Sequence, residues 1–155
     1  MLDMFLYNWQ IREDWFDFCK NISEENLTKK RVGGFGSFLH NLFHVIDCEQ
    51  IWINQLKGTQ VLVKDFNSIS NLEEVIEISN TTKSQTLNYL QSYNSDIEKR
   101  VLEVKSKNGK TYHFPYEKVL QHIITHEVHH IGQLSVWARE IGKKPISSDL
   151  LFRQI

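Results

Sequence analysis

Four long stretches of this chain carry apolar side chains at the spacing of an α-helix, and only two prolines interrupt its 155 residues. In the first stretch, from Leu2 to about Cys19, the apolar residues cover two adjacent faces, with Phe5, Trp9, Phe16 and Cys19 on one and Met4, Ile11, Trp15 and Phe18 on the other. A stripe this broad is typical of a helix that packs into a bundle. The pattern therefore favours an all-α fold.

A second helix is predicted to begin after Ser37, a good N-cap residue, and to run to about Leu56. Its inward-facing residues are Leu39, Leu42, Phe43, Ile46 and Ile53. Lys57-Gly58 is predicted to end it, because glycine commonly follows the last turn of a helix. The preceding segment 27–36 is polar and rich in glycine, which predicts a loop.

The third helix is predicted to start at a capping box, Ser70-Asn71-Leu72-Glu73, with Ser70 as the N-cap and Glu73 reaching back to it. It extends to about Tyr93 and is anchored by Leu72, Val75, Ile76, Thr86, Leu87 and Leu90. The middle of this stretch is polar, so its apolar face is the least continuous of the four.

A hairpin is predicted between the third and the last helix. Two strand-like runs, 101–107 and 110–114, flank Asn108-Gly109, a pair that favours a type I′ turn with positive φ at both residues. Pro115 suits the first turn of the last helix, and Gly142 is placed to end it. The sequence thus predicts one domain, residues 1–155, folded as a four-helix bundle with a small β-hairpin before the last helix.

Charge, cysteine content and hydropathy limit the classes of partner. The formal net charge is −1 with no long block of either sign, which argues against a nucleic-acid partner. Cys19 and Cys48 lie inside apolar helical patterns and are expected to be reduced thiols. No basic segment leads into an apolar run at the start, and no stretch approaches the roughly 20 apolar residues of a membrane span. We therefore expect a cytoplasmic protein without a membrane partner.

Histidines are concentrated in the last helix, where His122, His126, His129 and His130 fall within nine residues. Imidazole is the most common side-chain ligand of metals. His126 and His130, at positions i and i+4, lie about 40° apart on a helical wheel and can bind one metal ion. Two histidines that are satisfied by hydrogen bonds at the edge of the core are the simpler alternative. The density of the cluster favours the metal site.

A third ligand is predicted on the second helix, which offers His40, His44 and Cys48 one turn apart. His44 is the preferred residue because it lies in the middle of the helix among apolar neighbours, where an idle imidazole would be costly. Cys48 is interpreted as a small core residue, and His40 as a residue near the helix start that is solvated or outside the ligand set.

The roles of several other polar residues are predicted less specifically. His122 and His129 either reinforce the site or are solvated, and solvation is the default. Asn41 and Gln133 are candidates to orient a ligating imidazole through its second ring nitrogen. His113, in the hairpin, has no assigned role.

The segment His126-Glu127-Val128-His129-His130 also spells the H-E-x-x-H motif of zinc peptidases, in which the glutamate is the general base. The usual forms of that site take a third ligand further along the chain. After His130 the sequence departs from the H-x-x-G-x-x-H spacing, and only Glu140 and Asp149 supply carboxylates. The peptidase interpretation is therefore the weaker one.

Taken together, these motifs resemble the DinB/YfiT-like family of small bacterial metal-binding helical bundles. The resemblance rests on His44-x-x-x-x-Glu49-x-x-Trp52, on His122-x-x-x-His126-x-x-x-His130-x-Gly132-Gln133, and on the tail from Gly142 to Leu150, and with the helix order it covers nearly the whole chain. It implies a three-histidine site, here His44, His126 and His130, that binds zinc or nickel with one open coordination position. It also implies a homodimer. Ile131 stands where many relatives have arginine, which argues against a cation beside the metal.

The resemblance further implies a thiol S-transferase, in which the metal binds a low-molecular-weight thiol such as bacillithiol or mycothiol. A divalent metal deprotonates a bound thiol, so this chemistry is physically coherent. Trp9, Trp52 and Trp137 are candidates to line an apolar pocket for the second substrate, although core packing is the more common role. The alternatives are a metal-dependent hydrolase with metal-bound hydroxide and Glu127 as base, and a non-catalytic, stress-associated metal-binding protein.

Overall fold

The computed structural model describes residues 1–155 and contains four long helices and one two-stranded sheet. The long helices are α1 (Leu2–Lys20), α3 (Phe38–Lys57), α4 (Leu72–Ser92) and α6 (Tyr116–Glu140). Two short helices, α2 (Glu24–Thr28) and α5 (Ser95–Glu98), lie in the connections, as do single 3₁₀ turns at Phe66–Ser68 and Leu150–Phe152. Strands β1 (Val101–Lys105) and β2 (Thr111–Pro115) precede α6. The predicted four-helix architecture with a hairpin before the last helix is confirmed.

Helix α3 begins and ends as its sequence predicts. The hydroxyl oxygen of Ser37 accepts a hydrogen bond from the backbone N–H of His40 at 3.1 Å, which satisfies one of the free donors of the first turn. Gly58 follows the last turn with φ +68°, in the left-handed region that favours glycine. The two caps place His44 in the second turn of a fixed helix.

The predicted N-cap of α4 is wrong by one residue. Asn71, not Ser70, caps the helix, because its side-chain oxygen accepts from the backbone N–H of Glu74 at 2.9 Å. Asparagine and serine cap helices about equally well, so the sequence alone does not choose between two adjacent candidates. The observed register starts the helix at Leu72 and buries both Leu72 and Val75.

The hairpin pairs β1 with β2 in antiparallel register, with Val101 opposite Pro115 and Lys105 opposite Thr111. The predicted type I′ turn is wrong, because Gly109 (φ +81°) is the one residue of the turn with positive φ. The N–H of Gly109 donates to Ser106 O and that of Ser106 donates to Lys110 O, both at 2.9 Å. This is a three-residue loop that ends in a left-handed glycine, the next most common hairpin connection.

The core consists of two apolar clusters separated by a buried polar layer. The larger cluster takes its residues from the second half of α1, the first half of α3 and the second half of α6, and the smaller cluster takes the opposite halves. On each long helix, buried polar residues lie between the two clusters: Arg12 on α1, Glu49 on α3, Ser79, Thr82 and Thr86 on α4, and Glu127 on α6. The helices lack the combination of length and hydropathy that a membrane span requires.

Candidate metal centre

Three imidazoles meet where α3 packs against α6. His44 comes from α3, and His126 and His130 come from successive turns of α6. One nitrogen of each ring lies within 4.8 Å of the other two, and the Nε2 atoms of His44 and His126 are 3.1 Å apart. These are the three residues that the sequence predicts as ligands, and the fold brings them together.

The donor set fits a divalent transition metal. Zinc–nitrogen bonds are about 2.0–2.1 Å long, so two ligands of a tetrahedral site are about 3.3–3.4 Å apart. The separation of 3.1 Å between the Nε2 atoms of His44 and His126 is close to that edge. Three protein nitrogens would leave a fourth position of a bound zinc ion open, as in catalytic rather than structural zinc sites.

The electrostatic environment keeps the three rings neutral. Burial lowers the pKa of His44 to about 3, with further lowering by His126 and His130. Burial, followed by the neighbouring histidines, lowers the pKa of His126 to about 4. The pKa of His130 is also lowered by burial, although its hydrogen bond to the side-chain oxygen of Gln133 opposes the change. Neutral imidazoles have a free lone pair, so the site is prepared for a cation at neutral pH.

Gln133 orients the ring of His130. Its side-chain oxygen lies 2.7 Å from His130 Nδ1, and its amide nitrogen lies 3.3 Å from His129 Nε2. An amide oxygen only accepts, so His130 Nδ1 carries the proton and Nε2 is free for a metal. The predicted contact of Gln133 with an imidazole is confirmed. The predicted contact of Asn41 with an imidazole is wrong, because its side chain bonds backbone atoms.

The glycine-rich loop before α3 covers the site with an aromatic ring. Phe35 stacks on His44, with ring centroids 3.5 Å apart and planes 24° apart. Asn41 holds the loop in place, because its side-chain oxygen accepts from the N–H of Phe35 (3.2 Å) and its amide donates to His130 O (3.0 Å). The loop is predicted from the sequence, but its contact with His44 is not. The signal was the single large side chain among three glycines.

The loop approaches the polar residues behind the site so closely that one position requires glycine. Gly34 has φ +49°, and a Cβ there would lie 2.5 Å from the side-chain oxygen of Gln133 and 2.6 Å from that of Asn41. The backbone of the loop therefore packs directly on the amides that support His130.

Glu127 faces the buried polar layer and pairs with Arg12. Arg12 Nε donates to Glu127 Oε1 at 2.8 Å, and Arg12 Nη2 donates to Glu127 Oε2 at 2.6 Å and to Glu49 Oε2 at 2.6 Å. Thr86 and Trp9 donate further hydrogen bonds to Glu49. Glu127 is buried and its carboxylate forms an ion pair with Arg12, which argues against the general-base role of the H-E-x-x-H motif. Arg12 lies on the apolar face of α1 and was not predicted from the sequence as part of this layer.

The remaining histidines surround the cluster without joining it. His40 is bonded to Ser37 through Nδ1 at 2.8 Å, and His129 and His122 are exposed on α6. The ring of His122 lies 5.5 Å from that of His126. His113 lies in the hairpin, near Glu103. Cys48 is buried, and burial raises the pKa of its thiol to about 12, consistent with a core residue.

Comparisons with known proteins agree with this architecture. The sequence model of the DinB family matches residues 1–154. The chain is 38% identical to the "Uncharacterized protein YizA" of Bacillus subtilis (strain 168), over 100% of this chain and 96% of that protein. Its structure is similar to the crystal structure of a DinB-like protein from Bacillus cereus ATCC 10987, with a TM-score of 0.66 and 16% sequence identity over 92% of this chain and 94% of the other. At that identity the likeness concerns the fold alone.

Proposed function

The chain belongs to the DinB family, and from this premise we propose that it is a metal-dependent thiol S-transferase whose metal is held by His44, His126 and His130. The observation that supports the proposal best is the convergence of three neutral imidazoles from two helices, within 4.8 Å of one another. Three nitrogen ligands with an open position suit zinc or nickel.

The chemistry that the bound metal supplies is the conversion of a low-molecular-weight thiol to its thiolate at neutral pH. In the transfer, the sulfur forms a bond to an electrophilic carbon of the second substrate. The thiol proton passes to solvent, and the leaving group departs with the electron pair of its bond to carbon. This reaction requires no buried acid or base of the protein, in agreement with the ion pair between Glu127 and Arg12.

The residues around the site have distinct tasks in this proposal. Gln133 fixes the tautomer of His130, and Asn41 fixes the loop that carries Phe35. The ring of Phe35 shields His44 from water, and exclusion of water strengthens the electrostatic interactions of the site. Phe35 is 41% exposed, so this shield lies at the protein surface.

Thiol transfer is tested with protein that was purified without a metal-affinity tag and loaded with zinc or nickel. Bacillithiol, mycothiol and glutathione are offered with 1-chloro-2,4-dinitrobenzene, and the conjugate is measured. We expect a rate above the uncatalysed one with at least one thiol, lost in His126→Ala and kept in His129→Ala. Turnover of ester substrates without any thiol conjugation would instead favour the hydrolase. No activity in either assay, with metal bound, would favour a non-catalytic metal-binding protein.

The assembly and location of the protein are part of the same proposal. We expect a homodimer in the cytoplasm that acts on small molecules, without a nucleic-acid or membrane partner. The expectation of a homodimer rests on the family resemblance. Light scattering on the purified protein measures the oligomeric state directly.

A further inference from the structure

A cleft beside the histidine cluster has aromatic walls and a cationic rim. It encloses about 280 Å³ between the end of the hairpin and the helices that carry the proposed ligands. Its lining residues are Trp52, Phe114, Lys118, Val119 and His122. Of the three tryptophans that the sequence suggested as pocket residues, Trp52 lies here, whereas Trp9 and Trp137 are buried in the core.

The walls suit a flat ring. The indole of Trp52 is nearly perpendicular to the ring of Phe114 (89°, centroids 6.3 Å apart) and to that of His122 (87°, 5.8 Å apart). Aromatic rings prefer edge-to-face or offset contacts, and this arrangement offers both to a planar guest. A volume of about 280 Å³ lies just below the usual range of ligand pockets, which favours a compound with a single ring.

The charge at the rim selects an anion. Lys118 is exposed, and the lining contains no carboxylate that would compete for its ammonium group. An anionic substituent on the ring would therefore meet one cation without repulsion from within the cleft. The rest of the lining is apolar apart from His122.

The cleft is adjacent to the proposed metal ligands. His122 is one turn from His126, about 6 Å along the helix axis, and their rings are 5.5 Å apart. His122 is the one histidine that lines the cleft, and its ring contacts that of His126. The cleft therefore lies next to the proposed ligands, with His122 between them.

We propose that this cleft binds the electrophilic substrate, a single-ring aromatic compound that carries an anionic group directed to Lys118. The assignment of this compound as a substrate rests on the proposed function. Binding of the aromatic ring in the cleft does not depend on the metal. In the transfer, the thiolate sulfur bonds to a ring carbon, and the halide on that carbon leaves with its electron pair. The chemical class is a halogenated aromatic carboxylate.

Binding is measured by calorimetry with 3-nitrobenzoate, which is unreactive, and with nitrobenzene as its uncharged counterpart, on the metal-free and the metal-loaded protein. We expect Lys118→Gln to weaken nitrobenzoate up to about fivefold and to leave nitrobenzene unchanged. Phe114→Ala is expected to weaken both, about fivefold. Lys107→Gln, which removes an exposed lysine in the hairpin turn, is the matched control and should change neither.

Fluorescence locates the ring. Nitrobenzoate quenches indole emission, and Trp52→Phe should remove most of the quenching while affinity stays within about threefold, because an aromatic wall remains. The proposal is overturned if nitrobenzoate does not bind, or if Lys118→Gln and Phe114→Ala both bind it as the wild type does. With metal binding and thiol conjugation intact, either result leaves the proposed function standing. Nitrobenzoate binding to a protein that takes up no metal would support the cleft and reject the proposed function.

Discussion

The guanidinium of Arg12 holds the carboxylate of Glu127 through two parallel hydrogen bonds, of 2.8 Å and 2.6 Å, where both side chains are at most 2% exposed. The same guanidinium reaches Glu49 at 2.6 Å, so one cation lies between two carboxylates. This contact joins α1, α3 and α6 at the level between the two apolar clusters. Glu127 directly follows a proposed ligand, so the layer also fixes the wall of the metal centre.

Loss of Arg12 should destabilise the protein strongly. Arg12→Leu leaves the carboxylates of Glu49 and Glu127 buried without their cation, and breaking a buried pair in this way costs about 3–5 kcal/mol. Urea unfolding gives the free energy of unfolding. Arg139→Leu, at an exposed arginine of α6, is the control and should change it by less than about 0.5 kcal/mol. Equal stability of the two variants would mean that the buried layer contributes nothing.

The substitution Glu127→Gln distinguishes a structural role of this carboxylate from a role as catalytic base. The amide retains a hydrogen bond to Arg12 but loses the charge, so the free energy of unfolding should fall by about 1–3 kcal/mol. Zinc affinity and the rate of thiol conjugation of the folded variant should stay within about threefold, because the carboxylate is engaged by Arg12. Glu117→Gln, at an exposed position of the same helix, controls for the change of charge. Abolished activity with unchanged stability and zinc affinity would identify Glu127 as the base.

Substitution of Gly34, with Gly33 as the matched control, tests the role of the loop that covers the site. Both have positive φ, and an alanine at either position costs about 1–2 kcal/mol of backbone strain. Only at Gly34 would the added methyl displace Gln133 and Asn41. Gly34→Ala should therefore also weaken zinc binding, by about 10- to 100-fold, through loss of the support of His130. Gly33→Ala should keep the affinity, and calorimetry compares the two; equal affinities would show that this support is unimportant.

The metal-free protein should lose stability as the pH falls below neutrality. Folding lowers the pKa of His44 to about 3 and that of His126 to about 4, whereas the ordinary value is 6.5. Between pH 6.5 and pH 4 the unfolded chain thus binds protons that the folded chain does not, so the free energy of unfolding decreases with decreasing pH. The stability that these residues contribute is complete above pH 6.5.

The measurement is the melting temperature of metal-free protein between pH 7.5 and pH 4.5. The double variant His44→Gln/His126→Gln should show a weaker dependence on pH than the wild type, because its two amides do not titrate. His113→Gln, at an exposed histidine of the hairpin, should follow the wild type. A double variant that is as sensitive to pH as the wild type would contradict the burial of neutral imidazoles.

The sequence predicts well what depends on helical periodicity. Ser37 and Gly58 bound α3 as predicted, and this register places His44 opposite His126 and His130. Local ambiguity limits the prediction where two adjacent residues serve equally well, as with Ser70 and Asn71 at the start of α4. The same limit applies to the hairpin, where Asn108-Gly109 fits two types of turn.

Features that depend on tertiary contacts were missed for a physical reason. Arg12 is charged and is normally assigned to the surface, and its burial is possible only because two carboxylates on other helices pair with it. Phe35 lies in a loop, and its contact with His44 follows from the path of the glycines and from Asn41. The cleft at Trp52 requires the hairpin, since Phe114 supplies one wall. No spacing within one helix encodes these relationships.

The central claim is that His44, His126 and His130 bind one divalent metal ion together. Titration calorimetry of the metal-free protein with zinc and with nickel, combined with elemental analysis of protein prepared without a metal-affinity tag, tests it directly. We predict one metal ion per chain, lost or weakened at least 100-fold in His44→Ala, His126→Ala and His130→Ala and retained in His113→Ala. Absence of binding in the wild type, or unchanged binding in His44→Ala, would contradict the account.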